Sequence, residues 1–234
     1  MKKLAIFVEG QAEEIFVEKL LLEYARQNSI VFNVQRLYGG NDCPRNPTVI
    51  KSESATSQTE YYILIYTSCN DTRVVSDYME RYDNLISNGY STVLALRDLY
   101  PQSYEDLERV ENSINSVLQF KSIPNNIHIA LREVETWFLG EYTHFGKIDA
   151  RITLNAIQTE TGYLFPLQEY EQSILHPADT LDKIYTIAGY RYKKKVSHFK
   201  RTVNQIDYEN LYINVRSQIP RLDKFLAQID LFFQ

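Results

Sequence analysis

Four acids stand at or just beyond the ends of apolar runs in this sequence. Residues 4–8 run into Glu9, residues 91–97 into Asp98, and residues 127–132 into Glu133-Val134-Glu135. Side chains at the carboxyl ends of neighbouring parallel strands meet on one rim of a sheet, which is where open α/β folds bind ligands. Several uncompensated carboxylates gathered there repel one another, and a divalent cation relieves that repulsion. An all-oxygen set with positions left for water and phosphate suits Mg²⁺ or Mn²⁺. Such a metal polarises a phosphoryl oxygen and activates water, so the chemistry these residue types point to is metal-dependent phosphoryl transfer.

Placing the acids on one rim requires strands that alternate with helices. Residues 4–8 are too few to cross a membrane and suit a buried strand, Gly10 permits a tight turn, and Ala12, Ile15, Phe16, Leu20 and Tyr24 then fall on one helical stripe with Glu13 and Glu14 mostly off it. Residues 30–38 alternate as a strand does, and Gly39-Gly40-Asn41-Asp42 ends it. Residues 43–59 hold Pro44, Pro47 and many serines and threonines without a period, which reads as a loop or a hidden helix. Residues 61–67 are a further apolar run, followed by a helix entrance at Ser68-Cys69-Asn70-Asp71 and a stripe of Val74, Val75, Tyr78, Met79, Tyr82, Leu85 and Ile86 that Asn88-Gly89 closes. After residues 91–98, Pro101 and Ser103 open a helix with its stripe on Tyr104, Leu107, Val110, Ile114 and Leu118, and Pro124 turns the chain toward the strand at 127–132.

The alternation predicts an α/β domain over residues 1–140, a mostly parallel sheet with helices on both faces and right-handed crossovers. Past Gly140 the apolar strand runs stop, and helical stretches near 150–158, 177–187, 196–206 and 211–232 predict a helical C-terminal portion, 141–234, packed on the sheet. Residues 190–195, Tyr-Arg-Tyr-Lys-Lys-Lys, are the densest positive charge in a chain of net charge −5.

That net charge excludes a general electrostatic attraction to nucleic acid or to anionic membranes, so a polyanion must meet a local basic patch or a bound metal. Cys43 and Cys69 have neither CxxC nor metal-ligand spacing, and the few apolar residues before Glu9 are too short for a signal-peptide core, so a cytoplasmic protein without a membrane segment is expected. There is no glycine-rich phosphate loop, no GxSxG and no HExxH; His128, His144, His176 and His198 are scattered, with His128 read as a core histidine and Trp137 as core.

Phe7-Val8-Glu9-Gly10-Gln11-Ala12-Glu13-Glu14-Ile15-Phe16 resembles the opening motif of TOPRIM domains, in the form found in overcoming-lysogenization-defect nucleases and in TOPRIM-like nucleotidyl transferase/hydrolase proteins. Leu96-Arg97-Asp98-Leu99-Tyr100 is similar to the family's second acidic motif, and Arg132-Glu133-Val134-Glu135-Thr136-Trp137-Phe138 to its Glu-x-Glu leading into a helix with an aromatic. His176-Pro177-Ala178-Asp179-Thr180-Leu181 followed by Tyr192-Lys193-Lys194-Lys195 is similar to its proline-led helix and following lysine.

The resemblance implies a Rossmann-like TOPRIM fold, with Glu9 as the essential acid, metal ligand or general base, and Asp98 as the principal metal-binding aspartate. It further implies a second-metal role for Glu13, completion of the acidic rim by Glu133 and Glu135, and phosphate contacts from Gly10, Lys194 and Lys195, Lys194 acting in catalysis. Where the family carries Asp-x-Asp, this chain has Asp98-Leu99-Tyr100. The expected function is that of a Mg²⁺- or Mn²⁺-dependent nuclease or nucleotidyl transferase/hydrolase acting on nucleic acid or nucleotide. The alternatives are a non-catalytic TOPRIM-like binding module, or a subunit active only beside a separate ATPase.

Overall fold

The computed structural model describes all residues except Asn41, Asp42, Asp71 and Lys194, and describes Cys43 and Pro44 by backbone alone. The turn expected at Asn41-Asp42, the last residue of the helix entrance at Asp71, and Lys194 therefore lie outside the described residues.

The apolar run at the start forms strand β1 (Lys2–Val8), and the helical stripe after it forms α1 (Gln11–Ala25). Then follow β2 (Ile30–Gly40), β3 (Cys43–Ser52), β4 (Tyr61–Thr67), α2 (Val74–Ser87), β5 (Thr92–Asp98), α3 (Leu107–Phe120) and β6 (Ile127–Ala130). The six strands form one sheet in the order β3-β2-β4-β1-β5-β6. β1 pairs in parallel with β4 and β5, and β2 pairs in parallel with β4, while β3 is antiparallel to β2. The expected α/β architecture with a mostly parallel sheet is thus present, and residues 43–52, read as a loop or helix, are instead an antiparallel edge strand. Pro47 lies in register with Leu37, and an edge is the position in a sheet that tolerates a residue with no N–H to give.

Adjacent residues of β4 show that the helices cover opposite faces. Thr67 Oγ1 donates to Glu14 of α1 at 2.5 Å, whereas Tyr66 stacks on Phe7, whose ring meets Tyr78 of α2 edge-on. Chain leaving β1 therefore goes to one face, and chain leaving its neighbour β4 goes to the other. Gly89, at φ +79°, takes the left-handed conformation that closes α2, as Asn88-Gly89 predicts. Between the helices β1 is dry: Leu4, Ala5, Ile6, Phe7 and Val8 have no exposed surface.

Two compact units divide the chain, one of Met1–Asp98, Glu105–Ile129 and Gln228–Gln234, the other of Leu99–Tyr104 and Ala130–Ala227. The first holds most of the sheet, and the chain's last aromatics belong to it: Phe233 packs against Tyr24 and Tyr61. The second is helical, with α4 (Glu135–Gly140), α5 (His144–Ile148), α6 (Leu154–Thr161), α7 (Tyr170–Ser173), α8 (Pro177–Thr186), α9 (Val196–Val203), α10 (Tyr208–Asn210) and the start of α11 (Pro220–Phe233). Pro220, expected inside the last helix, opens it, since the first turn needs no N–H from that position. Trp137 is fully buried against Phe225, ring centroids 5.7 Å apart, in this unit's core. Among the described residues no helix is long and apolar enough to cross a membrane.

Candidate functional site

The strand registers line up Arg36, Thr67, Val8 and Leu96 across β2, β4, β1 and β5. Everything just beyond that line lies at the carboxyl edge of the sheet. Because β1 and β4 send their chains to opposite faces, the gap between their ends is the topological switch point of the fold, the usual place for a ligand.

Glu9 and Asp98 stand at this edge as the sequence predicts. Glu9 Oε2 accepts a hydrogen bond from the main-chain N–H of Asp98 at 3.2 Å, and Asp98 is 8% exposed. Gly10 has extended dihedrals, φ −141° and ψ −166°, which other residues also adopt, so the expectation that glycine is needed for a tight turn gives way to a different reason. A Cβ at Gly10 would stand 3.2 Å from Glu13 Oε2, and that carboxylate oxygen accepts from the Gly10 N–H at 2.8 Å. Glu13, 5% exposed, thus folds back to cap α1.

Glu14, mostly off the apolar stripe, is also buried. Its two oxygens take Arg36 Nε and Nη2 at 3.1 and 2.9 Å, an ion pair that raises the guanidinium's proton affinity chiefly through the hydrogen bonds to Glu14. A second bidentate pair joins Arg45 on β3 to the fully buried Asp77 on α2 at 3.0 and 2.8 Å, and Arg45 also donates to the carbonyl of Ser68. Cys69, in a left-handed conformation at φ 54°, feels the charges of both pairs; burial nevertheless pushes its thiol up, so it is a poor nucleophile at neutral pH. No local period announced these four charged residues as partners, since each pair closes across 22 or 32 residues of chain.

Glu133, Glu135 and Lys195 belong to the second unit. Glu133 Oε2 accepts the N–H of Ala178 at 3.2 Å, in the first turn of α8, where the helix dipole favours a negative charge. Glu135, 6% exposed, accepts the hydroxyl proton of Tyr192 at 2.8 Å. Lys195 is exposed at the start of α9, and Lys193 beside it pairs with Asp182 at 3.0 Å. Arg191 and the Tyr192 N–H also bond to Asp182, and the Arg191 contact is the main reason that carboxyl is held well below its usual range. Glu141, His144, Tyr185 and Thr202 form a buried polar chain in the same unit: His144 Nδ1 meets the Glu141 carbonyl, His144 Nε2 the Tyr185 hydroxyl, and that hydroxyl Thr202 Oγ1. Among the described residues, no group of three or more His, Cys, Asp or Glu side chains is arranged to hold a metal ion.

The fold defines an α/β protein with a mostly parallel six-stranded sheet and a helical C-terminal region. The chain belongs to the family described as "Domain of unknown function (DUF4276)", whose model matches residues 8–230. Comparison with curated proteins and with solved structures finds no match.

Proposed function

We propose that this protein is a metal-dependent phosphoryl-transfer enzyme of TOPRIM type, a nuclease or nucleotidyl transferase/hydrolase working in the cytoplasm. The observation that carries the proposal is the meeting of Glu9 and Asp98, 89 residues apart in sequence, at the ends of paired parallel strands. Glu9 Oε2 touches the Asp98 main chain there, which puts two acids on one rim beside the switch point. A magnesium-like ion keeps several waters and is held by one or two carboxylates plus substrate phosphate, so the absence of a group of three such ligands among the described residues does not conflict with the reading. Glu9 and Asp98 would hold that ion, which supplies charge stabilisation at the phosphoryl group and an activated water.

The chain's own residues set the rest. Glu13 holds the first turn of α1 by bonding to Gly10, so in this reading its part is to fix the loop after Glu9. The Glu14–Arg36 pair neutralises what would be a further negative charge at the carboxyl edge of the sheet. Purified protein with Mg²⁺ or Mn²⁺ is expected to cut DNA or RNA or to release product from a nucleotide. Glu9→Gln and Asp98→Asn are expected to lose at least about 100-fold of that rate while keeping the wild-type melting temperature. Equal rates in wild type and Glu9→Gln would overturn the assignment.

A second reading, a binding module or an ATPase-dependent subunit, draws on two observations: Tyr100 replaces the second acid of the motif, and Glu13 is already engaged as a cap. Calorimetry with Mn²⁺ separates them. Tight binding without turnover favours the module, and turnover only on adding an ATPase favours the subunit.

A further inference from the structure

A cleft of about 370 Å³ opens on the α2 face of the sheet, within the first unit. Tyr62 and Tyr66 of β4 and Tyr90 before β5 supply its rings, with Leu64 and Leu85 between them. Tyr62, Leu64 and Tyr66 reach it together because alternate residues of a strand share a face. Tyr62 and Tyr90 meet edge to face, centroids 6.4 Å apart, and Tyr66 is backed by Phe7 at 5.0 Å.

Hydrogen-bonding capacity here is left over in a particular pattern. The hydroxyls of Tyr66 and Tyr90 have no hydrogen-bond partner among the described residues, and Tyr62 accepts from Asn33 Nδ2 at 3.1 Å with its own proton still to give. Gln35 spends Nε2 on Asn33 Oδ1 at 3.0 Å, which leaves Oε1 as an acceptor. Burial raises the Tyr66 and Tyr90 phenols, so both hold their protons. The neighbouring cations are engaged: Lys3 Nζ donates to the Asn88 carbonyl at 3.1 Å and lies 5.6 Å over the Tyr90 ring, and Arg81 donates to the Arg45 carbonyl and lies 5.7 Å over Tyr66.

Ligand classes differ in how they meet that pattern. An aliphatic guest would bury the free hydroxyls unpaired, at about 1–3 kcal/mol apiece. An anion would have to compete for cations that already have partners. A flat ring with both donors and acceptors on its edge satisfies the rings and the hydroxyls together, and the volume lies at the small end of ligand pockets, about 300–1,000 Å³. We propose that this cleft binds a nucleobase, at a site on the sheet face separate from the rim at Glu9.

The test is calorimetric titration of the full chain with adenosine, guanosine, cytidine, uridine, ribose and inorganic phosphate, in EDTA so that nothing depends on metal chemistry at the rim. At least one nucleoside is expected to bind while ribose and phosphate do not. Tyr66→Phe and Tyr90→Phe, which remove only a hydroxyl, are expected to weaken binding about fivefold each with unchanged melting temperatures. No nucleoside binding, equal binding of ribose or phosphate, or wild-type affinity in both variants would overturn the proposal. Because no hydrolysis is read, these outcomes stand apart from success or failure of the phosphoryl-transfer assignment.

Discussion

Glu171 on α7 is 7% exposed, and its Oε1 has no hydrogen-bond partner among the described residues. Burial pushes its carboxyl up to about 7 against the opposing pull of Arg221 and Lys224. A carboxyl that holds its proton more tightly when folded makes the native state the better proton binder between the unfolded value near 4.5 and about 7, so stability falls as pH rises through that window and levels off above it. Glu171→Gln should exceed wild type by roughly 3 kcal/mol at pH 8 and converge with it near pH 4 in urea unfolding. A Gln variant that kept the wild-type pH slope would show that some other group carries it. Asp77 is the opposite case: with no exposed surface it balances Arg45, whose side chain is 6% exposed, and Asp77→Ala should cost about 3–5 kcal/mol because it strands a buried guanidinium. At this scale the sequence showed Glu9 and Asp98, because an acid ending an apolar run is a local signal. It hid the roles of Glu14, Arg36, Arg45 and Asp77, whose meaning comes from partners brought in by the sheet.

Among the elements, those with strong periods were legible. The runs at β1, β4 and β5 appear where the sequence puts them, because a strand buried on both faces must be continuously apolar. β3 was not legible. Its prolines and polar side chains argue against a central strand, and only its position at the edge, with Val49 57% and Ile50 46% exposed, makes that composition tolerable. Segments held by close approach were equally silent. Gly140 ends α4 where a Cβ would stand 2.6 Å from Ile219 Cδ1 and 2.9 Å from Val215 Cγ1, both in buried side chains. Gly140→Ala therefore forces α4 or the segment at 215–219 to shift, with an expected loss of about 1–3 kcal/mol in thermal or urea unfolding. An unchanged midpoint would mean that the buried isoleucine yields freely.

At the scale of the whole molecule the governing quantity is the net charge of −5. The densest basic stretch does not offset it, because Arg191 and Lys193 both pair with Asp182. A nucleic acid approaching this protein at long range therefore meets a net negative charge, which disfavours binding driven by counterion release. If the rim at Glu9 and Asp98 does hold a divalent ion, that ion becomes the local positive charge that a phosphate sees, and binding should follow the metal and not the salt. Filter binding of a single-stranded oligonucleotide at about 50 mM salt is expected to show no retention in EDTA at protein concentrations up to about 10 µM, well inside the range where basic proteins bind non-specifically. Adding Mn²⁺ should bring retention, and Glu9→Gln should remove it again. Tight retention in EDTA that weakened steeply with salt would instead reveal a cationic surface, and the acidic rim would then have no part in recognition.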